Sequence, residues 1–466
     1  MSLLEKKKFY FIGIGGIGMS GIAEILHEMK FKVSGSDMLR NPNTIRLKKM
    51  GININFGHTS NDITNFDLVV ISSAIKKNNS ELLRAIKHKI PVLPRAKMLA
   101  EILRLKSSVT IAGSHGKTTT TSLVSCILEQ AKLDPTVING GIINNYKTNA
   151  KLGKGDWIIA EADESDGSFT YLPSTICLIN NIDPEHLDFY GTFEKLKKAF
   201  IEYADNIPFY GFISICADHK NLNALIKKMT NKKVITFGLS KNAGISAKNI
   251  EVIEKNEVFY TKFDLIINIK KADEVKNIIV PILGDHNLRN TLGAISIGLN
   301  LGVKKNQIKN ALRNFKGVKR RFTLVAKINK NKIFDDYAHH PKEISATLTA
   351  LKQISKGKII AIYEPHRFSR LKDLFSDFSS CFKKADFIFI LPVFAAGEKK
   401  IKGFDSKKLV MEIRKRKKKE VYLAGSEKSL FFEIKDKIQP NDNIIFLGAG
   451  PITKLANSLP MFLKSK

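Results

Sequence analysis

The chain has 466 residues, 43% of them hydrophobic and 26% charged, which is ordinary for a globular protein and too long for one hydrophobic core, so about two to four domains are expected. No apolar run reaches the ~20 residues that cross a bilayer, and the first residues, MSLLEKKKFY, lack the apolar stretch of a secretory signal, so the reading is of a cytoplasmic protein with no membrane partner. The formal charge of +32 does not by itself indicate nucleic acid: the lysines are spread over the whole length, and the densest run, Arg414 to Lys419, reads as the wet face of a helix.

The chain opens with FIGIGGIGMSG, an apolar strand-like run that breaks into glycines before a helical pattern resumes. Gly13, Gly15 and Gly18 fit GxGxxG, and Asp37 lies 19 residues beyond Gly18, as a nicotinamide dinucleotide site requires. The alternative is a tight strand-to-helix turn and nothing more. Four further short β-branched runs, KVSGSD, ININF, LVVISSA and IPVLP, alternate with helical stretches up to about Leu93, the signature of a parallel doubly wound unit. That unit ends near Arg104 to Ser107. It leaves room for one mononucleotide-binding half plus a strand or two, whereas a full dinucleotide fold needs two halves.

The second segment opens on VTIAGSHGKTTTTSLVSCIL, a strand running into a phosphate loop and then a helix. Its glycines stand three apart, closer than in GxxxxGK[ST], but the parts are the same. Gly113, Ser114, His115 and Gly116 let backbone N–H groups turn onto phosphate, and Thr119 continues the first helical turn, whose end adds roughly half a positive charge. Lys117 suits the β and γ phosphates, and the Thr118 hydroxyl suits Mg²⁺. Magnesium also needs a carboxylate, and DWIIAEADESDGSF ends an apolar strand in Glu161, Asp163, Glu164 and Asp166; Glu161, closest to the strand, is the choice. LINNIDPEHLDFYG then places Asp183, His186 and Asp188 after another strand. Spacing alone leaves His186 open between a structural role and a second metal. The segment continues through GFISICAD and KKVITFG to a helix around NLRNTLGAISIGLNLG.

A third segment follows FKGVKRRF and alternates KIFDDYAHHP, KGKIIAIYEPH, FIFILPVF, EVYLAG and NIIFLGAG with helix-length spacers. The fold class is therefore α/β in three domains: residues 1–105 Rossmann-like, 106–317 a parallel sheet of P-loop ATPase type, and 318–466 again Rossmann-like. The four cysteines, Cys126, Cys177, Cys216 and Cys381, stand singly in apolar surroundings and read as buried free thiols.

Taken together, GIGGIGMSG, ISSAI, PRAKMLAEIL, GSHGKTTTT, EADESDGSF, NIDPEHLDFYG, GDHNLRN, DDYAHHP and EPHRFSR, in this order from end to end, make the chain resemble the Mur ligases of peptidoglycan synthesis. The resemblance implies ATP-driven amide formation between the lactyl carboxylate of UDP-N-acetylmuramate and the amine of L-alanine, through an acyl phosphate. It also implies Mg²⁺ (or Mn²⁺) and a chain acting as a monomer or weak homodimer. By it, Lys117, Glu161 and His186 are catalytic, with Thr118, Glu161 and His186 holding metal. Asn287 and Asn290, which could equally cap a helix, line the adenine pocket, while Arg321 and Asp336 reach ATP phosphate and ribose. Tyr337, His339, Arg367 and Arg370 surround the incoming amino acid; without the resemblance the two arginines would read as surface charges. The first glycine loop, Gly15, Gly16, Ile17 and Gly18, passes to the diphosphate of the UDP-sugar, with Ser72 and Ser73 of ISSAI beside it, and Asp37 loses its ribose role and stays open. Two departures, Ser114 where threonine is common and Asp285 where a basic residue is frequent, remove no functional group.

Overall fold

Phe9, Tyr10, Phe11 and Ile12 are exposed by 1% or less because they lie in the middle strand, Lys8–Ile12, of a five-stranded sheet. The structure, a computed structural model, describes residues 7–59, 62–229, 231–269, 272–416 and 420–464. In this first sheet, Asn53–Phe56, Lys32–Asp37, Lys8–Ile12, Leu68–Ile71 and Val92–Pro94 lie side by side in that order, every neighbouring pair parallel. All five are strands that the alternation of short apolar runs predicts. The strand order reverses at Lys8–Ile12, so the crevice for a ligand opens beyond its carboxyl end, where the glycine loop stands.

The second sheet has ten strands. Its centre, Ser107–Ala112, runs parallel to Ile176–Ile179 on one side and Trp157–Glu161 on the other, and Phe212–Cys216 and Val234–Phe237 extend it in parallel. Beyond Trp157–Glu161 lies an antiparallel pair, Thr136–Ile143 with Thr148–Lys151. The sequence reading misses that pair and also the strands Ile245–Lys255, Val258–Ile267 and Asp273–Val280. Much of Ile245–Lys255 is exposed, so a run such as NIEVIEK carries little apolar signal. Its turn is legible in hindsight: Asn256 and Glu257 both have positive φ, 49° and 63°, the geometry a two-residue hairpin loop requires.

The helix Ile17–Glu28 of the first domain is fastened to this antiparallel pair. Glu24, 4% exposed, accepts from the Thr148 hydroxyl at 2.8 Å and pairs with Arg46. Arg46 donates to Asn149 Oδ1 at 2.9 Å, and Asn149 donates to the carbonyl of Ile17 at 2.7 Å. Burial pushes the Glu24 carboxyl above its ordinary pKa, and Arg46 and Thr148 oppose that shift. A buried carboxylate so placed is tolerated only with such partners.

The third sheet orders its strands Thr323–Ile328, Asn331–Asp336, Asn443–Leu447, Ile359–Tyr363, Phe387–Ile390 and Glu420–Leu423. Only the first pair is antiparallel. Helices cover both faces: Phe334, Tyr363 and Leu447 pack on one side, Ile333, Ile360 and Phe446 on the other, which is why these strands are near-continuous apolar runs. The chain divides into two compact units, residues 1–250, 263–280 and 289–316 in one and 251–262, 281–288 and 317–466 in the other.

All four cysteines are free, with Cys177, Cys216 and Cys381 buried and Cys126 partly so. No helix among the described residues is long and apolar enough to cross a membrane. Of the basic run at 414–419, Arg414 and Arg416 close the helix Ser406–Arg416. Arg414, Lys415 and Arg416 are exposed on it, as a wet face requires, with Arg414 also donating to the carbonyl of Val421 at 2.8 Å, and Lys417 to Lys419 fall outside the described residues.

Candidate active site

The second glycine loop is held by the strand end beside it. The amide of His115 donates to Asn181 Oδ1 at 2.8 Å, the amide of Ser114 to the Asn181 carbonyl at 3.3 Å, and the amide of Asp183 to Ser114 Oγ at 2.9 Å. Asn180 and Asn181 are functional supports that the sequence reading passes over; their signal was the polar NN pair closing an apolar strand. Gly116 has φ +84°, and a Cβ there would fall 2.5 Å from Asn290 Oδ1. Glycine is thus required twice, by conformation and by the close approach of Asn290, which is buried on the helix Asp285–Asn300. Asn287, in the first turn of that helix, donates to the Leu283 carbonyl at 2.9 Å.

Lys117 starts the helix Lys117–Gln130, whose first amides have no intrahelical acceptor. Its ammonium donates to the Gly113 carbonyl at 2.7 Å and to both oxygens of Glu164, at 2.7 and 3.0 Å. Burial alone would lower the Lys117 pKa, but Glu164, Asp163 and Glu161 outweigh it and hold the ammonium charged. The acids of EADES therefore separate by partner: Glu161 accepts from the Gly140 amide at 2.7 Å, Asp163 from Arg95 at 3.2 Å, and Glu164 from Lys117. Burial would raise Asp163, yet Lys117 and Arg95 keep it below its ordinary value.

His186 adopts a left-handed backbone, φ 56°, that turns its ring towards Glu164 (3.8 Å) and Glu185 (3.7 Å). One ligand atom from each of Glu164, Glu185 and His186 lies within 4.8 Å of the others, so the structure groups His186 with Glu164 and Glu185, two acids not chosen from sequence. Asp183, 2% exposed, stands between His115 and His219, 3.4 Å from each. Thr118, also buried, sits one residue beyond Lys117.

In the first domain Ser72 lies against the other glycine loop, its Cβ 3.1 Å from where a Cβ at Gly13 would be, and Ser73 follows it just past the strand Leu68–Ile71. Asp37 accepts from the Gly15 amide at 2.8 Å, and Asn43 donates to the Gly15 carbonyl at 2.9 Å. Asp37 therefore shapes the loop, which answers the question its spacing raised.

The third sheet carries a separate cluster. Tyr337 and His339 have ring centroids 5.2 Å apart, and His339 and His366 6.0 Å. Arg370 Nη1 lies 3.2 Å from His366 Nδ1. His366, adjacent to the chosen Arg367 in EPHRFSR, is the link that sequence reasoning missed. Arg367 is exposed and begins the short helix Phe368–Asp373 with φ 70°. Arg321 lies over the Tyr337 ring at 5.1 Å. Asp336, 6% exposed, accepts from the amides of Phe322 (2.6 Å) and Ala338 (2.8 Å). Burial raises Asp336 to about 6 although Arg321 pulls it down.

Burial lowers His339 to about 3, with Glu343 opposing and Arg370 adding, and lowers His366 to about 4, with Arg370 and Arg367 adding. Both imidazoles are neutral at physiological pH. An NMR titration should show neither ring protonating above about pH 5, against an unperturbed value of about 6.5. Because the unfolded chain takes up these protons first, the pair's share of stability is whole above about pH 6.5 and is lost as the pH falls through 4 towards 3. Midpoints near the unperturbed value would contradict this picture.

Comparison with known proteins places this geometry. The model of the Mur ligase family catalytic domain matches residues 8–107, that of the Mur ligase middle domain residues 111–298, and that of the Mur ligase glutamate ligase domain residues 320–450. The chain belongs to the Mur ligase family. Among Mur ligases it is 51% identical to the UDP-N-acetylmuramate--L-alanine ligase of Rickettsia bellii, over 99% of this chain and 98% of that one. It is 50% identical to the enzyme of the same name from Rickettsia felis, over the whole of both. Among solved structures, UDP-N-acetylmuramate-alanine ligase from Thermotoga maritima superposes with a TM-score of 0.83 at 27% identity, covering 98% of this chain and 100% of that one. A murein peptide ligase from Psychrobacter arcticus shares the Mur ligase fold, with a TM-score of 0.70 at 22% identity, over 98% of this chain and 99% of that one.

Proposed function

We propose that this chain joins L-alanine to the lactyl carboxylate of UDP-N-acetylmuramate, converting ATP to ADP and phosphate in peptidoglycan synthesis. The observation that carries the reading is full-length correspondence, at about half identity, with relatives of that name. A carboxylate is a poor electrophile at neutral pH, so the γ-phosphoryl group first passes to it and makes phosphate the leaving group for the attacking amine. Such a transfer depends on alignment and charge neutralisation more than on a dedicated base.

In this reading Gly113 to Thr119 cradle the ATP phosphates, with the Lys117 ammonium on the β and γ groups after it leaves Glu164. Asn287 and Asn290 face the adenine, and Arg321 and Asp336 serve its phosphate and ribose. Gly15 to Gly18, Ser72 and Ser73 hold the UDP-sugar. Tyr337, His339, Arg367 and Arg370 receive the amino acid, an arginine being suited to clamp its carboxylate. Thr118, Glu161 and His186 are the residues assigned to a hard divalent ion, Mg²⁺ or Mn²⁺, and the ligand atoms of Glu164, Glu185 and His186, within 4.8 Å of one another, suit such an ion; when bound it would neutralise charge on the transferring phosphoryl group. The domains run 1–105, 106–317 and 318–466. The protein works in the cytoplasm as a monomer or weak homodimer, without nucleic acid.

A phosphate-release assay with ATP tests the proposal. Phosphate is expected only when UDP-N-acetylmuramate and a small L-amino acid are both present, with L-alanine preferred. Release that needs a nucleotide already carrying peptide would assign the chain to a later or recycling step, and stimulation by DNA or RNA at low salt would point away from ligation altogether.

A further inference from the structure

Two imidazoles share one buried carboxylate beside the phosphate loop. Asp183 is 2% exposed, and a carboxylate so buried needs positive or donor groups around its oxygens. His115, in the loop, stands 3.4 Å from Asp183 Oδ2, and His219 stands 3.4 Å from Oδ1 on the other side. Asp183 is also tied to the loop through its backbone: its amide donates to Ser114 Oγ at 2.9 Å, and that hydroxyl donates back to its carbonyl at 3.4 Å. Whatever fixes the Asp183 side chain therefore bears on Ser114 and His115 as well.

His219 arrives from the next strand. It follows Phe212–Cys216, the parallel neighbour of Ile176–Ile179, and directly precedes the helix Lys220–Ile226. That position favours a side chain that accepts from the first helical amides, yet the His219 side chain makes no such cap and turns to Asp183 instead. The chain on either side of it is pinned. Asp218 accepts from the amides of Leu239 and Ser240 at 2.7 and 2.9 Å and from Arg289 at 2.7 Å, and Asn221 donates to the Ile182 carbonyl at 2.9 Å.

We infer that His219 is a positioning residue for phosphoryl transfer: by holding Asp183 it fixes His115 and the loop that receives the ATP phosphates. This rests on assigning Gly113 to Thr119 to ATP. The imidazole acts through the carboxylate and touches no substrate. A strut that only steadies the fold is the competing reading, but a strut gives no reason to leave the helix start uncapped in favour of Asp183. Without His219, Asn181 still holds the amides of Ser114 and His115, so nucleotide binding survives. Transfer is more exacting, because misplacement by about an ångström is enough to cost rate.

The test combines steady-state kinetics, calorimetric binding of ADP and thermal melts, all on the full-length protein. His219→Ala should lower kcat by about 10- to 100-fold, while ADP affinity and the KM for L-alanine stay within about threefold. His219→Gln places an amide nitrogen where Nε2 stands and should recover most of the rate. Asp183→Asn should lower kcat too, and His219→Ala added to it should cost less than about threefold more, since two residues acting through one contact are not additive. Full additivity overturns the inference, as does an unchanged kcat in His219→Ala. A kcat that falls only in step with the melting temperature, with no recovery by glutamine, makes His219 a strut. Wild-type protein that binds no ADP would instead remove the loop assignment itself, a result distinct from any difference among the variants.

Discussion

Lys117→Ala should reduce phosphate release by about a thousandfold or more, to background in an ordinary assay. The ammonium sits among Glu161, Asp163 and Glu164, so its loss removes the local positive charge and also leaves carboxylates facing an anionic triphosphate. Binding and turnover therefore fall together. Glu164, 1% exposed, would lose a partner that contacts both its oxygens, and the variant should also be less stable, since breaking a buried pair costs about 3–5 kcal/mol. Lys117→Ala combined with Glu164→Gln should recover much of that stability and none of the activity, which separates the two effects in thermal melts run beside the kinetics. Lys117→Arg is not a mild change either: a compact ammonium reaches the Gly113 carbonyl and both Glu164 oxygens at once, and a planar guanidinium does not match that set. Turnover retained by Lys117→Ala would rule out the proposed nucleotide site.

Arg370→Ala should raise the KM for L-alanine by about 100- to 1,000-fold, as removal of a charged partner from a desolvated carboxylate does. The KM for ATP and for UDP-N-acetylmuramate should change little, because Arg370 is assigned to neither of their sites. Arg370 is oriented by His366 at 3.2 Å, and burial keeps that imidazole neutral, so His366 accepts from the guanidinium and does not repel it. His366→Ala should therefore show a smaller rise in the same constant. Steady-state kinetics with each substrate varied in turn would decide, and an unchanged L-alanine KM in Arg370→Ala would move the amino-acid site elsewhere.

The sheets were legible where strands are buried on both faces. YFIGIG, VTIAG, IIAIY and NIIFL announce themselves by unbroken apolar character, and each is a strand. The hairpin Thr136–Ile143 with Thr148–Lys151 was not, because TVINGGII is interrupted by the very glycine whose amide Glu161 takes. Ile245–Lys255 was lost for the opposite reason, being mostly exposed.

The candidate site divides the same way. Motifs name residues that stand together in the chain, so Gly113 to Thr119 could be read off directly. Partners brought from a distance could not be: Asn181 under the loop, Glu164 on Lys117, and His219 on Asp183 each depend on which strand ends share an edge. His366 was one residue from a chosen arginine and still escaped, because its role comes from the ring it faces and the guanidinium it steadies.

The joint made by Glu24, Arg46, Thr148 and Asn149 bears on how this family can vary. Two residues on each side of a domain boundary complete one buried polar network, so a change on one side alone strands a charge or an amide without a partner. A first domain borrowed from a relative would fit only if its residues at 24 and 46 suit the host's 148 and 149, which makes the two domains a single unit of exchange.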